Sequence, residues 1–369
     1  MNNNKICVYA IAKNEEKNVN LWVASMRPAD HIIVLDTGST DKTVELLTSL
    51  GVEVHQKHYD HFRFDVARND ALALVPEEYN ILVSTDIDER WEQDNWAELL
   101  RENWQDENPR VLYNYVWTHD ETGRPQNQFY INKIHGRKNV AWGGAVHEYL
   151  YNTETGKKND FSVVDMTHLL TLHHWHDLTK DRKFYLDLID ERVKENPEDG
   201  QTWLLAGNEN FVKGFPEKAL PYYQYYVEHF TEGVETYNIW EYSNAYYCLG
   251  KTYSALGNGQ KAWESYSKGI AVNTQYRDNY FGLALLCLDN KLPDMAIGIL
   301  QEALNTTVNN HDWMDDVYTW TFSLYDLLGY AYALKEEYDK ALAYATKALS
   351  YSPENKLLIE RYYTYLNKI

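Results

Sequence analysis

Two carboxylates two residues apart, Asp86 and Asp88, follow directly on the short apolar run Ile81-Leu82-Val83 in the segment NILVSTDIDER, residues 80–90. A run of that length reads as a buried strand. In an open α/β sheet the carboxyl end of a strand is where ligands bind, so both carboxylates sit at the mouth of a site. At this spacing they can reach one hard divalent cation, which can hold a diphosphate against a surface carrying excess negative charge. The expectation is a metal–diphosphate site. A D-x-D also occurs in solvated turns, so the reading rests on the strand before it and on further segments.

The elements that must position this pair alternate in kind. Residues 5–11, KICVYAI, read as a first strand, followed by Lys13-Asn14-Glu15 and a helix over 18–26. His31–Leu35 is a second buried strand, ending in Asp36-Thr37-Gly38-Ser39-Thr40-Asp41. Gly38 permits a tight turn, Asp41 suits a helix cap, and Asp36 stands where a carboxylate can accept from a base or a ribose hydroxyl. A third strand begins at Gly51 and a helix follows over Phe64–Leu74, with Ala67-Arg68-Asn69 near its start. Strands alternating with helices predict a parallel, Rossmann-like sheet. The chain has neither G-x-G-x-x-G nor G-x-x-x-x-G-K-[ST], so a nicotinamide enzyme or a P-loop ATPase is not supported.

These segments, in this order, resemble the family 2 glycosyltransferases of the GT-A fold: Lys13-Asn14-Glu15, the D-T-G-S-T-D of Asp36–Asp41, the F-x-x-A-R-N of Phe64–Asn69, and Asp86-Ile87-Asp88. Trp142-Gly143-Gly144-Ala145-Val146-His147-Glu148 resembles the G-x-V-H-E segment of a bacterial subgroup, and His173-His174 falls where that subgroup has a single histidine. The resemblance extends to bacterial enzymes with C-terminal tetratricopeptide repeats, including peptide S-glycosyltransferases of the sublancin type. It implies roles position by position. Tyr9 and Ala10 would meet a nucleobase through main chain, with Asn14 and Glu15 beside them in the donor site. Asp36 would bind uridine, and Arg68 would sit near the ribose or diphosphate. Asp86 and Ile87 would line the donor, while Asp88 and His174 would ligate Mn²⁺ or Mg²⁺. His173 and His176 remain alternatives to His174, and His135 stands where relatives have an arginine.

Displacing a nucleoside diphosphate from an anomeric carbon develops positive charge on the ring and negative charge on the leaving group. A metal meets the second need, and a carboxylate or imidazole that deprotonates the acceptor completes the chemistry. Glu148 is the expected base with His147 as its neighbour or substitute, because both follow a Gly-Gly that lets backbone approach a ligand. Tyr113, Tyr115 and Trp117 alternate as a strand does, and would suit stacking on a sugar if they line the cleft.

The chain has 369 residues and a formal net charge of −20. Residues 1–177 carry −11 and residues 178–369 carry −9, so neither half is basic and a nucleic acid or an anionic membrane face is not the expected partner. No apolar run approaches a membrane span, and the opening residues read as neither signal peptide nor anchor, so the cytoplasm is the expected location. Cys7, Cys248 and Cys287 lie far apart and form no C-x-x-C. From about Leu178 the pattern turns helical and repeats. The tetratricopeptide signature sets in four registers, with equivalent small residues at Gly207, Gly250, Ala284 and Gly329, spaced by 43, 34 and 45. The expected fold is α/β plus all-α: a GT-A domain over 1–177, then a helical repeat domain over 178–369 suited to a protein or peptide ligand or to a homodimer. The expected activity is metal-dependent inverting transfer of a hexose from a UDP-sugar to a peptide or protein side chain. A saccharide or lipid-linked glycan acceptor is the alternative, and a non-catalytic scaffold is the alternative of another class.

Overall fold

The computed structural model describes residues 4–105, 108–120, 123–158, 160–175, 184–235, 237–309 and 317–369. The chain divides into two compact units, 1–188 and 189–369.

The first unit opens with β1 (Ile6–Ala12), α1 (Val19–Met26), β2 (His31–Asp36), α2 (Thr43–Ser49), β3 (Glu53–Gln56), α3 (Phe64–Ala73) and β4 (Ile81–Ser84). It continues with β5 (Glu89–Trp91), α4 (Trp96–Asn103), β6 (Arg110–Val116), β7 (Gln128–His135), β8 (Val140–Gly143), β9 (Tyr149–Asn152), β10 (Val163–Asp165) and β11 (Thr171–His174). One sheet runs in the order β3-β2-β1-β4-β7-β6-β11-β5, with β10 on β6, and β8 pairs with β9 apart from it. Over β3-β2-β1-β4 the strands are parallel, as their alternation with helices predicts. Beyond β4 the sheet is mixed. Among the described residues no helix lies between β6 and β7; the two strands pair antiparallel, and β7 also pairs antiparallel with β4.

Alternation along β1 splits the core in two, because successive side chains of a strand point to opposite faces. Ile6, Val8, Ala10 and Ala12 pack with Trp22, Met26, Trp96 and Leu100 on one face. Cys7 and Tyr9 pack with Ile33, Ala71, Trp142 and Leu150 on the other.

After α5 (Tyr185–Glu195), the second unit is built of antiparallel helix pairs. They are α6 (Gly200–Val212) with α7 (Pro216–His229), α8 (Ile239–Ala255) with α9 (Gly259–Val272), and α10 (Arg277–Asp289) with α11 (Pro293–Leu304). Past the short α12 (Val317–Trp320), α13 (Ser323–Leu334) pairs with α14 (Tyr338–Tyr351), and α15 (Lys356–Leu366) closes the chain. The small residues of the four registers sit where partner helices touch. Gly207 lies against the Tyr223 ring and Gly250 against the Tyr266 ring, Ala284 is fully buried, and Gly329 meets the Ala341 carbonyl. Among the described residues no helix is long and apolar enough to cross a membrane.

Candidate active site

Because β1, β2 and β4 are parallel, the loops that follow Ala12, Asp36 and Ser84 emerge at one edge of the sheet. The first two are laced together. Asn14, at φ +55°, donates its N–H to Ser39 Oγ (2.8 Å) and accepts from the Thr40 N–H through Oδ1 (2.8 Å), while the Glu15 N–H donates to Thr43 Oγ1 (2.7 Å). Asp36 is fully buried; its Oδ1 accepts from the N–H groups of Gly38 (3.1 Å) and Ser39 (3.0 Å) across a turn that places Gly38 at φ +110°. Its Oδ2 is buried with no hydrogen-bond partner among the described residues. A buried carboxylate oxygen left in that state is costly, which marks it as an acceptor waiting for a donor.

Tyr9 and Ala10 are buried on β1. The Tyr9 hydroxyl accepts from Trp142 Nε1 (2.8 Å) and lies 2.7 Å from His135 Nε2. His135 Nδ1 is 2.6 Å from the Gly136 carbonyl, so Nδ1 carries the proton and Tyr9 donates to Nε2. Burial pushes the Tyr9 hydroxyl up and the His135 imidazole down to about 4. A neutral histidine therefore fills the position where the resemblance expects an arginine.

Arg68, on α3, is buried at the centre of a charged network. Its Nη2 donates to Asp86 Oδ1 (2.6 Å), its Nη1 to Ser84 Oγ (3.2 Å) and its Nε to Glu148 Oε1, and the guanidinium lies 5.2 Å from the centre of the Trp142 ring. Lys133 reaches in from β7, donating to Asp86 Oδ2 (3.0 Å) and Glu89 Oε1 (3.0 Å). Glu89 is fully buried; Oε1 also accepts from the Tyr115 hydroxyl (2.7 Å) and Oε2 from the Asp86 N–H (2.8 Å). Burial acts to raise the Asp86 carboxyl, but Arg68 and Lys133 outweigh it and hold the group well below the usual carboxylate range. For Glu89, burial outweighs Lys133 and pushes the carboxyl up. Burial acts to lower the Lys133 ammonium, yet Asp86 and then Glu89 hold it above its ordinary value.

Asp88 and His174 meet, although 86 positions separate them: Asp88 Oδ2 lies 3.1 Å from His174 Nε2. The reason is the antiparallel register of β5 with β11, which sets His174 opposite Glu89 and so beside Asp88. His174 is buried, with its ring 4.6 Å from that of Trp117 and 6.1 Å from that of Tyr115. His173 points away and meets His119 Nε2 (2.9 Å) and Glu92 Oε2 (3.3 Å), while His176 lies outside the described residues. Ile87 is buried in the core. Among the described residues no group of three or more His, Cys, Asp or Glu side chains is placed to hold a metal. Asp88 and His174 bring one carboxylate and one imidazole together.

His147 and Glu148 part company despite being adjacent. Glu148 turns inward to Arg68, its side chain only 11% exposed. His147 is exposed at φ +51°, with its ring 6.5 Å from Tyr185. Sequence reasoning missed Lys133 and the part played by Glu89. The available signals were an acid directly after the D-x-D and a lysine inside the strand run Gln128–His135.

Residues 7–161 match the model of a family described as Glycosyl transferase family 2, and residues 322–355 match one described as Tetratricopeptide repeat. The N-terminal unit carries a family 2 glycosyltransferase domain. The match takes in the lacework of Asn14 and Asp36, the Arg68 network and Asp88, and supports a glycosyltransferase; His174 lies beyond its end. The family implies a nucleotide-sugar donor and an acceptor, and a tetratricopeptide domain suggests protein interaction. A search of curated proteins finds no match. Solved structures similar to the chain include a MamA protein (24% identity, 46% of this chain and 81% of that one, TM-score 0.35). A thermophilic TPR protein from Thermus thermophilus is also similar (23% identity, 49% of this chain and 89% of that one, TM-score 0.39).

Proposed function

We propose that this chain is a metal-dependent inverting hexosyltransferase that moves a hexose from a UDP-sugar to a peptide or protein side chain, in the cytoplasm, with a donor-binding domain over 1–177 and a partner-binding repeat domain over 178–369. The observation that carries the reading is the 3.1 Å approach of Asp88 Oδ2 to His174 Nε2 at the edge where the family 2 strands end. Two donors on neighbouring positions of an octahedral ion with bonds of about 2.1 Å lie about 3 Å apart, so this carboxylate and imidazole fit one divalent cation. An imidazole among the donors favours Mn²⁺ over Mg²⁺. When bound, the cation offsets the negative charge that gathers on the departing diphosphate.

The chain's own residues supply the rest. Asp36 Oδ2 accepts from the uracil ring, whose N–H meets the need of the orphaned oxygen. Arg68 and Lys133 clamp both oxygens of Asp86, fixing it as a permanent carboxylate beside the ribose. Trp117, 36% exposed and next to His174, offers an indole face to the sugar. Glu148 takes the acceptor's proton through Oε2, its Oε1 being held by Arg68. A second reading gives the proton to His147: it is exposed, and its left-handed backbone stores about 1–3 kcal/mol of strain of the sort that collects at functional sites.

The test is UDP release from a panel of UDP-sugars with Mn²⁺, with and without acceptor peptides. Glu148→Gln should keep metal-dependent donor binding and lose transfer. Near-normal transfer in Glu148→Gln together with loss in His147→Ala moves the base to His147. No UDP release from any nucleotide sugar, with no metal-dependent UDP binding, favours a non-catalytic scaffold, and transfer to oligosaccharides but not to peptides favours a glycan acceptor.

A further inference from the structure

The F-x-x-A-R-N segment gives Arg68 to the charged network and leaves Asn69 with a different task. The Asn69 side chain meets one residue of β8 at both of its main-chain groups. Its Nδ2 donates to the Trp142 carbonyl (2.8 Å), and its Oδ1 accepts from the Trp142 N–H (2.9 Å). The N–H and C=O of one extended residue point to the same side of its strand, so a single primary amide serves both as a neighbouring strand would. Trp142 is pinned at its side chain too. The ring is buried, its Nε1 donates to the Tyr9 hydroxyl (2.8 Å), and the Arg68 guanidinium lies over it at 5.2 Å.

Two more tethers run from α3 to the same stretch of chain. Phe64 opens the helix, so its N–H has no partner within it and donates instead to the Ala145 carbonyl (2.9 Å). Arg68 Nε donates to Glu148 Oε1. Between these tethers the chain takes left-handed backbone at Gly144 (φ +95°) and His147 (φ +51°). A residue other than glycine keeps such a conformation only where its surroundings over-determine it. The route of 142–148, and with it the direction of Glu148, is therefore set by α3.

We infer that Asn69 is a positioning residue for Glu148: its side-chain amide fixes the start of the 142–148 segment on α3, so that Oε2 of Glu148 is presented to the acceptor. The inference rests on the reading of Glu148 as the base. The test follows the full chain as wild type, Asn69→Asp, Asn69→Ala, Glu148→Asp and the double variant Asn69→Asp with Glu148→Asp. Asn69→Asp keeps the acceptor for the Trp142 N–H but sets a carboxylate oxygen against the Trp142 carbonyl, whereas Asn69→Ala removes both bonds and leaves room for water. Hydrogen exchange of 142–148, read by mass, should quicken about tenfold or more in both Asn69 variants while β1 and β4 keep the wild-type rate. UDP binding with Mn²⁺, read by calorimetry, should stay within about twofold of wild type, because the turn after β2 holds Asp36 and the β5–β11 pairing holds Asp88 and His174. UDP release from the panel of UDP-sugars, with water as acceptor, should fall about 10–100-fold in kcat with little change in KM, as a misplacement of about 1 Å allows. The double variant should be no slower than the slower single one, since both changes act on one carboxylate.

Wild-type exchange of 142–148 in both Asn69 variants, UDP affinity lost in step with kcat, or losses that multiply in the double variant overturns the inference. Wild-type kcat in both Asn69 variants beside a slow Glu148→Asp also overturns it and leaves the base reading intact. A Glu148→Asp enzyme as fast as wild type, or no UDP release from any form, overturns it by removing the reading on which it rests, even where exchange shows the clamp.

Discussion

Replacing Lys133 with methionine keeps the length of the side chain and removes one of the two cations that neutralise Asp86 and Glu89. Glu89 is fully buried and the Lys133 side chain is only 16% exposed, so the loss strands charge in a poorly solvated place. Breaking such a pair costs about 3–5 kcal/mol, and the lower end applies because Asp86 keeps Arg68 and is itself 32% exposed. For a unit of 188 residues, about 3 kcal/mol corresponds to a fall of roughly 6–12 °C in the transition of the first unit. Calorimetry should show that shift with the second unit's transition unmoved. The pH dependence has a fixed sign. A carboxyl held low in the folded state, as Asp86 is, contributes stability above the ordinary carboxylate pKa that is lost as pH falls through its folded value. A carboxyl pushed up, as Glu89 is, favours the folded state increasingly as pH falls. Without Lys133, Glu89 takes up its proton sooner on acidification, so the gap between wild type and Lys133→Met should narrow from pH 8 towards pH 5, and Asp86, with less to lose, narrows it further only below the ordinary carboxylate range. A gap that widens on acidification, or a shift under about 2 °C, which is less than 1 kcal/mol for a unit of this size, would refute the reasoning.

In Asp36→Asn the Oδ1 turn contacts can persist while the orphaned oxygen becomes an N–H₂ donor. UDP affinity, measured by calorimetry, should fall about tenfold or more with its Mn²⁺ dependence retained, as one mismatched buried hydrogen bond requires. A Cβ at Gly250 would overlap the Tyr266 ring, so Gly250→Ala should destabilise the helical unit by about 1–3 kcal/mol, read as a shift of the second calorimetric transition alone.

What could be read from the chain was what local pattern controls. The apolar run before Asp86 is β4, the D-T-G-S turn places Asp36 at the end of β2, and the small residues of the helical half sit at helix contacts. What could not be read depended on which strands become neighbours. Lys133 reaches Asp86 only because β7 inserts next to β4, and no spacing in the sequence says that a hairpin returns there rather than at an edge. The same holds for His174, which meets Asp88 only because β11 pairs antiparallel with β5 and sets it opposite Glu89. Glu148 is legible as a functional type, but its tether to Arg68, 80 positions away, is a property of packing between α3 and the segment after β8.

The most direct measurement is calorimetric titration of UDP into wild type, Asp88→Ala, His174→Ala and the double variant, each with Mn²⁺ and with a chelator. If one cation is held by both side chains, wild-type affinity falls at least tenfold on chelation, each single variant binds as the chelated wild type does, and the double variant is no weaker than either single one. UDP binding that ignores the chelator, or single variants whose losses add independently in the double, would contradict a cation shared between Asp88 and His174.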